Sequence, residues 1–157
     1  MNNAIDKLRE LWGAEDILSK KIATKSDIGI FNSKYQLTLP ADLMQYFTSI
    51  NGTNSEYDSN FFRFYSLADF VPIGKFYADW QGVPNYSAIT ESLFNHENVF
   101  VIADYNIHVF SYGIRLYRSE THVNEVYVIC GGKFKQVADK FSAFADLYFS
   151  DLPSLYI

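Results

Sequence analysis

The sequence predicts an α+β fold: a mainly antiparallel β-sheet covered on one side by helices from the N-terminal third and a C-terminal helix. Three observations carry that expectation. Apolar residues recur at helical spacing near both ends of the chain. The stretch between them reads as short strands separated by turn residues, with Gly131-Gly132 a strong two-residue hairpin signal. Helices first, strands between and a helix last is the order of an α+β chain, not of alternating βαβ units. The 157 residues suffice for one domain spanning 1–157, since a chain of this size buries roughly 68–70 % of its unfolded surface.

Asn3 is placed to cap a first helix with Ile5, Leu8, Leu11 and Trp12 on one face, and Gly13 ends it. A polar connector with Ser19-Lys20-Lys21 follows, and Ser26-Asp27 opens a second helix carrying Ile28, Phe31 and Tyr35. Gly29 weakens that helix by about 1 kcal/mol relative to alanine. Pro40 suits the first position of a third helix, Asp42 complements its positive end, and Gly52 supplies a left-handed stop. Within it Leu43, Phe47 and Ile50 form a stripe that should lie on the sheet. Thr53 to Asn60 reads as a polar loop, Phe61 to Tyr65 as a strand, and Ser66 to Phe70 as a short turn or helix closed by Pro72. Gly74 to Pro84 is the least regular segment, and Ser87 to Phe94 suits a short helix. Val99 to Ala103 is a buried strand, Asp104-Tyr105-Asn106 a turn, and Ile107 to Tyr117 the next strand with Gly113 a bulge candidate. Glu125 to Cys130 and Lys133 to Val137 form the final hairpin. Lys140 to Phe149 is a helix burying Phe141, Phe144, Leu147 and Tyr148.

Aromatic residues make up 18 % of the chain, enough both for an aromatic core and for tyrosines on a partner-binding face. The single Cys130 excludes an internal disulfide and fits a reducing compartment. With no apolar core of signal-peptide type and no run of about 18 apolar residues, a cytoplasmic protein with no membrane association is expected. Charge is unevenly distributed. Residues 35–114 hold eight acids and two bases, a net −6, whereas the rest of the chain is net +1. That distribution disfavours nucleic acid as partner, because phosphate contacts need clustered Lys and Arg. It allows a basic protein, whose approach an acidic face accelerates, and equally a merely solvated surface.

Catalytic signatures are sparse. His96, His108 and His122 stand twelve and fourteen residues apart, without metal-ligand spacing, although distant histidines can converge in a fold. There is no G-x-S-x-G elbow, Cys130 sits in a strand, and Gly131-Gly132 precedes a strand where a phosphate loop would precede a helix. No cofactor is expected and no catalytic residue is assigned.

Several ordered fragments resemble a known family. Thr38-Leu39-Pro40-Ala41-Asp42-Leu43, then Phe47, Asn51-Gly52 and Phe64-Tyr65-Ser66-Leu67, are similar to the opening of a SUKH superfamily (Smi/Knr-like) domain. Val101 to Ile107 and Tyr112-Gly113-Ile114-Arg115-Leu116 resemble a strand pair of one SUKH subgroup. Glu125-Val126-Tyr127-Val128, Gly131-Gly132 and Val137-Ala138-Asp139 with Phe141 and Phe144 resemble the family's ending. The likeness runs from about Ile28 to Tyr148 and is poor between Pro72 and His96; Asn32 stands where many members have glutamate, and the glycine-rich turn of other subgroups is absent.

The resemblance implies a non-enzymatic, protein-binding role, most often as an immunity protein that neutralises a secreted toxin of nuclease or deaminase type. Combined with the charge map, it makes Asp58, Tyr77, Asp79, Trp80, Glu97, Asp104 and Tyr105 the candidate partner-binding residues, since all fall in loops or turns of the net-negative middle. Trp and Tyr would act as anchors, and carboxylates as partners for Lys and Arg of a basic toxin domain. The alternatives are a scaffold or regulatory module without a toxin, and a small hydrolase if His96, His108 and a carboxylate meet in one closed pocket.

Overall fold

The computed structural model describes residues 3–78, 80 and 86–157. Helix α1 (Ala4–Ala14) starts as the sequence requires: the Asn3 side chain accepts the Asp6 N–H at 2.9 Å and the Asp6 carboxylate accepts the Asn3 N–H. Helix α2 (Lys25–Tyr35) is capped by the same reciprocal pair, Thr24 and Asp27. It begins before Ser26 because Thr24 is the hydroxyl three residues ahead of an acid. Asn32, near its end, accepts the Leu39 N–H and so shapes the approach to helix α3 (Ala41–Ser49). Pro40 sits one position earlier than expected, as the cap of α3. Asp42 also acts at long range, since its Oδ2 accepts the Ser142 N–H at 2.8 Å, in the first turn of the C-terminal helix α6 (Phe141–Ser150).

The Asn51-Gly52 pair is more than a helix stop. Asn51 has φ +61° and takes the left-handed position, while its side chain donates to the Lys21 carbonyl and accepts the Leu67 N–H. Gly52 has φ +95°, and a Cβ there would lie 2.9 Å from the Ser66 nitrogen and 3.0 Å from the Phe64 carbonyl oxygen. The glycine is therefore required by a backbone approach as well as by its conformation.

Five strands, β1 (Phe62–Phe64), β2 (Val99–Tyr105), β3 (Phe110–Arg115), β4 (Val126–Cys130) and β5 (Lys133–Ala138), lie in sequence order, each antiparallel to the next. The last hairpin turns where the sequence places it, with Cys130 opposite Lys133 and Gly131 at φ +61°. On one face Phe62, Phe64, Phe100, Tyr112, Ile114 and Val128 meet buried residues of α1, α3 and α6, forming the larger core. Leu43, Phe47 and Ile50 are all buried in it, as the stripe predicts. Fully burying one such side chain contributes roughly 1.5–3 kcal/mol.

The opposite face is covered as well, which the one-sided arrangement read from the sequence did not include. Helices α4 (Ile73–Phe76) and α5 (Ser87–Ser92) bring Ile73, Tyr77, Tyr86, Ile89 and Leu93 onto Val99, Val101, Tyr127 and Ile129. Gly113 serves this second layer. A Cβ there would stand 2.7 Å from Val99 Cγ1, so its role is close packing, and the bulge lies instead on β2. Val101 pairs with Gly113 and Ala103 with Tyr112, leaving Ile102 as the extra residue.

A candidate binding cleft built on Asp104

That bulge decides where Asp104 points. Along β2, Val99 and Val101 face the smaller core, whereas Phe100 and Ile102 face the larger one. Strict alternation would send residue 104 into the larger core with Ile102. The extra residue puts Ala103 and Tyr105 on that side and turns Asp104 to the other. There it pairs across the sheet with Arg63 of β1 and Ser111 of β3.

Asp104 is fully buried and saturated with donors. Arg63 approaches one carboxylate oxygen through Nε at 3.0 Å and Nη2 at 2.9 Å. The Tyr65 hydroxyl donates to the same oxygen and the Tyr57 hydroxyl to the other, both at 2.6 Å. Arg63 also lies over the rings of Tyr57 and Tyr65, at 4.9 and 5.4 Å. Burial first, and then the hydrogen bond to Asp104 and its charge, push the Tyr57 phenol up to about 12. Burial followed by the Asp104 charge raises the Tyr65 phenol as well.

His108 completes the cluster. Its Nε2 lies 3.2 Å from Arg63 Nη2, and a guanidinium can only donate, so Nε2 accepts and the ring proton sits on Nδ1. That nitrogen faces Asp104 Oδ2 at 3.7 Å, too long for a hydrogen bond. Burial holds the imidazole below the ordinary histidine range; Asp104 opposes the shift and Arg63 reinforces it. The turn carrying it is unusual, because Asn106, Ile107 and His108 all have positive φ, at +50°, +54° and +66°. For a β-branched residue such as Ile107 this conformation is strained.

Above the cluster opens a cleft of about 640 Å³ lined by Arg63, Tyr65, Lys75, Phe76, Trp80 and His108 among others. The Trp80 and His108 rings meet edge-on at 4.9 Å, and Phe76 lies 5.3 Å from Trp80. Arg63 is a quarter exposed, with 23 % of its side chain accessible. A pre-positioned arginine, a tryptophan and further aromatics around one concavity are the side-chain types that anchor protein interfaces.

Of the candidate residues read from the sequence, Trp80 lines this cleft and Asp104 organises it from below. The expectation that Asp104 presents its carboxylate to a partner fails, because all of its acceptor capacity is turned inward. Asp58 fails for a related reason: it is buried, accepts from Trp12 Nε1 at 3.0 Å and Tyr148 OH at 2.5 Å, and caps the backbone N–H groups of Asn60 and Phe62. With Thr53 it closes the outer edge of β1. Each of the two donates its own N–H to a strand carbonyl and accepts a strand N–H with its side chain, as a sixth strand would. The segment read as a polar loop is therefore partly interior.

Tyr77 is buried too, stacked on Tyr86 at 4.3 Å, and burial raises its phenol. Tyr105 lies half-buried on the larger-core side among Phe62, Phe110 and Tyr156. Glu97 is exposed beside His96 near the start of β2, and Asp79 lies outside the described residues. Arg63, Tyr57, Tyr65, Phe76 and His108 were missed. Arg63 carried the one available signal, as a lone base between two phenylalanines of a strand. The three histidines stay apart in their settings: His96 beside Glu97, His108 in the cleft, His122 in a shallow depression with Pro40 and Lys140. Among the described residues, no group of three or more His, Cys, Asp or Glu could hold a metal ion, and no helix is long and apolar enough to cross a membrane.

The model of the SMI1/KNR4 family (SUKH-1) matches residues 22–147. The chain belongs to that family. No curated protein matches the chain at a significant level. SUKH proteins are commonly immunity or interaction proteins and are generally non-catalytic, in line with the resemblance of the opening, strand-pair and closing fragments. The match takes in all five strands and every cleft residue named above, so the bulged β2, its Arg63 partner and the Asp104 cluster lie inside the SUKH domain.

Proposed function

We propose that this SUKH protein is a cytoplasmic immunity protein that neutralises a cognate toxin domain of nuclease or deaminase type by direct binding. The reading rests on the Arg63–Trp80 cleft. Asp104, Tyr57 and Tyr65 hold the Arg63 guanidinium in one geometry, so little side-chain freedom remains to be lost when a partner docks on it. Trp80 and Phe76 add apolar anchor area beside it. The exposed acids Glu56, Asp69, Glu91 and Glu97 retain the surface charge that steers a basic toxin domain, a role that Asp58 and Asp104 cannot fill.

The test is a pull-down with the product of the neighbouring gene at increasing salt, paired with protection of cells from that product. Trp80→Ala is expected to weaken binding at least tenfold while leaving the far-ultraviolet circular dichroism unchanged, and affinity is expected to fall as salt rises. Binding that ignores salt removes the steering mechanism. Absence of both binding and protection removes the immunity role and leaves a scaffold or regulatory module.

A further inference from the structure

A second groove, of about 360 Å³, runs between α2 and the segment from Leu67 to Val71. Its chemistry differs from that of the first. The buried rings of Phe31 and Phe70 lie at its floor, and Ile22 and Ile30 stand on its rim, 49 % and 64 % exposed. Helix α2 turns Ile28 and Phe31 inward and leaves Ile30 outward, on the rim of this groove. Beside Ile30, Gly29 has no heavy atom within 4 Å of where a Cβ would lie. Nothing in the fold requires a glycine there, and the open space admits a close approach of another backbone.

Charge selects the occupant. Lys21, Lys34 and Lys75 line the groove, and among the described residues none of them is in an ion pair. Asp27, the one acid lining it, already accepts the Thr24 N–H at 2.8 Å as the helix cap. Three ammonium groups outside any ion pair, that of Lys34 lying 5.1 Å over the Tyr35 ring, around an apolar floor match a chain segment with apolar residues on one side and carboxylates on the other. Its concavity suits side chains inserted from a peptide better than a flat bilayer.

We propose that this groove docks an acidic amphipathic segment of a partner protein, a surface of opposite preference to the acid-steered toxin contact. The inference stands apart from the immunity reading, because it rests on the opposite charge and on Lys21, Ile22, Ile30 and Lys34, which the first cleft does not use; of the three lysines only Lys75 lines both.

The test uses four labelled amphipathic peptides with glutamate polar faces and apolar faces of Leu, Ile, Phe or Trp, followed by fluorescence anisotropy and amide chemical shifts. At least one is expected to bind saturably, with shifts confined to residues 21–35 and 67–75. Charge reversal of the exposed lysines (K21E/K34E/K75E) is expected to weaken it at least tenfold, Ile30→Asp likewise, and Trp80→Ala to leave it unchanged. The proposal is overturned by any of four results: no saturable binding of any peptide at 1 mM, equal binding of lysine-faced counterparts, shifts elsewhere on the protein, or an Ile30-dependent dimer or Ile30-dependent binding to phosphatidylserine vesicles in place of peptide binding.

Discussion

Asp58 and Asp104 come from the same acidic stretch and both end inside the protein, yet they are held in different ways. Asp58 is satisfied without any cation: an indole N–H, a phenol and two backbone N–H groups surround it, tying α1 and α6 to the edge of β1. Asp104 is held by Arg63 and two phenols, beneath a cleft that reaches solvent. The first site is closed and architectural. The second couples a buried charge to a partly exposed arginine, so that a rigid interior group sets the geometry of one that reaches the surface.

The largest effect that separates them is expected from Asp58→Ala. It strands Trp12 Nε1, the Tyr148 hydroxyl and the Phe62 N–H at buried positions and the Asn60 N–H at a part-buried one, and should cost about 3–4 kcal/mol in urea unfolding. A loss below about 1 kcal/mol would show that Asp58 is not the tie it is described as. Asp104→Ala should cost less, about 2 kcal/mol, since the partly exposed Arg63 can turn to water. If the two variants are equally destabilised, the distinction between a closed and an open site collapses.

Asp104→Asn sharpens the comparison through titration. The Tyr57 phenol, at about 12 in the intact protein, should move toward the ordinary tyrosine value of about 10 without reaching it, because burial is the larger cause of its shift. A pH-dependent ultraviolet difference spectrum reads this directly; an unchanged titration would separate Tyr57 from Asp104.

The smallest effect is expected from His108. Its folded-state pKa is lowered, so the stabilisation tied to its neutral form is complete above the unfolded value of about 6.5 and is lost as pH falls from there through the lowered folded value. Compared with His108→Gln, the intact protein should therefore lose relative stability between about pH 7 and pH 5. A stability difference that stays flat over this range would place His108 outside the Asp104 field.

Much of the scaffold was legible because it follows from local chemistry. Asn3 with Asp6, the Leu43–Phe47–Ile50 stripe, the Gly131-Gly132 hairpin and the Phe141–Phe144 face each carry their structural meaning within a few residues. The site was far less legible. Trp80 could be singled out as an exposed-type anchor, but its partners Arg63 and His108 lie seventeen and twenty-eight residues away in the chain. His108 was read as a strand residue, because nothing in Asn106-Ile107-His108 announces three consecutive left-handed residues.

By itself, then, the sequence determined the α+β order, the amphipathic faces and the family, all of which depend on patterns of side-chain type along the chain. Only the tertiary structure decided which acids face solvent. One extra residue in β2 turns Asp104 from the larger core to the smaller face, and the unpaired edge of β1 draws Asp58 inward to serve as a surrogate strand. Both outcomes follow from the pairing of backbone groups far apart in sequence, where buried N–H groups need acceptors and a carboxylate can leave water only when its hydrogen bonds are replaced.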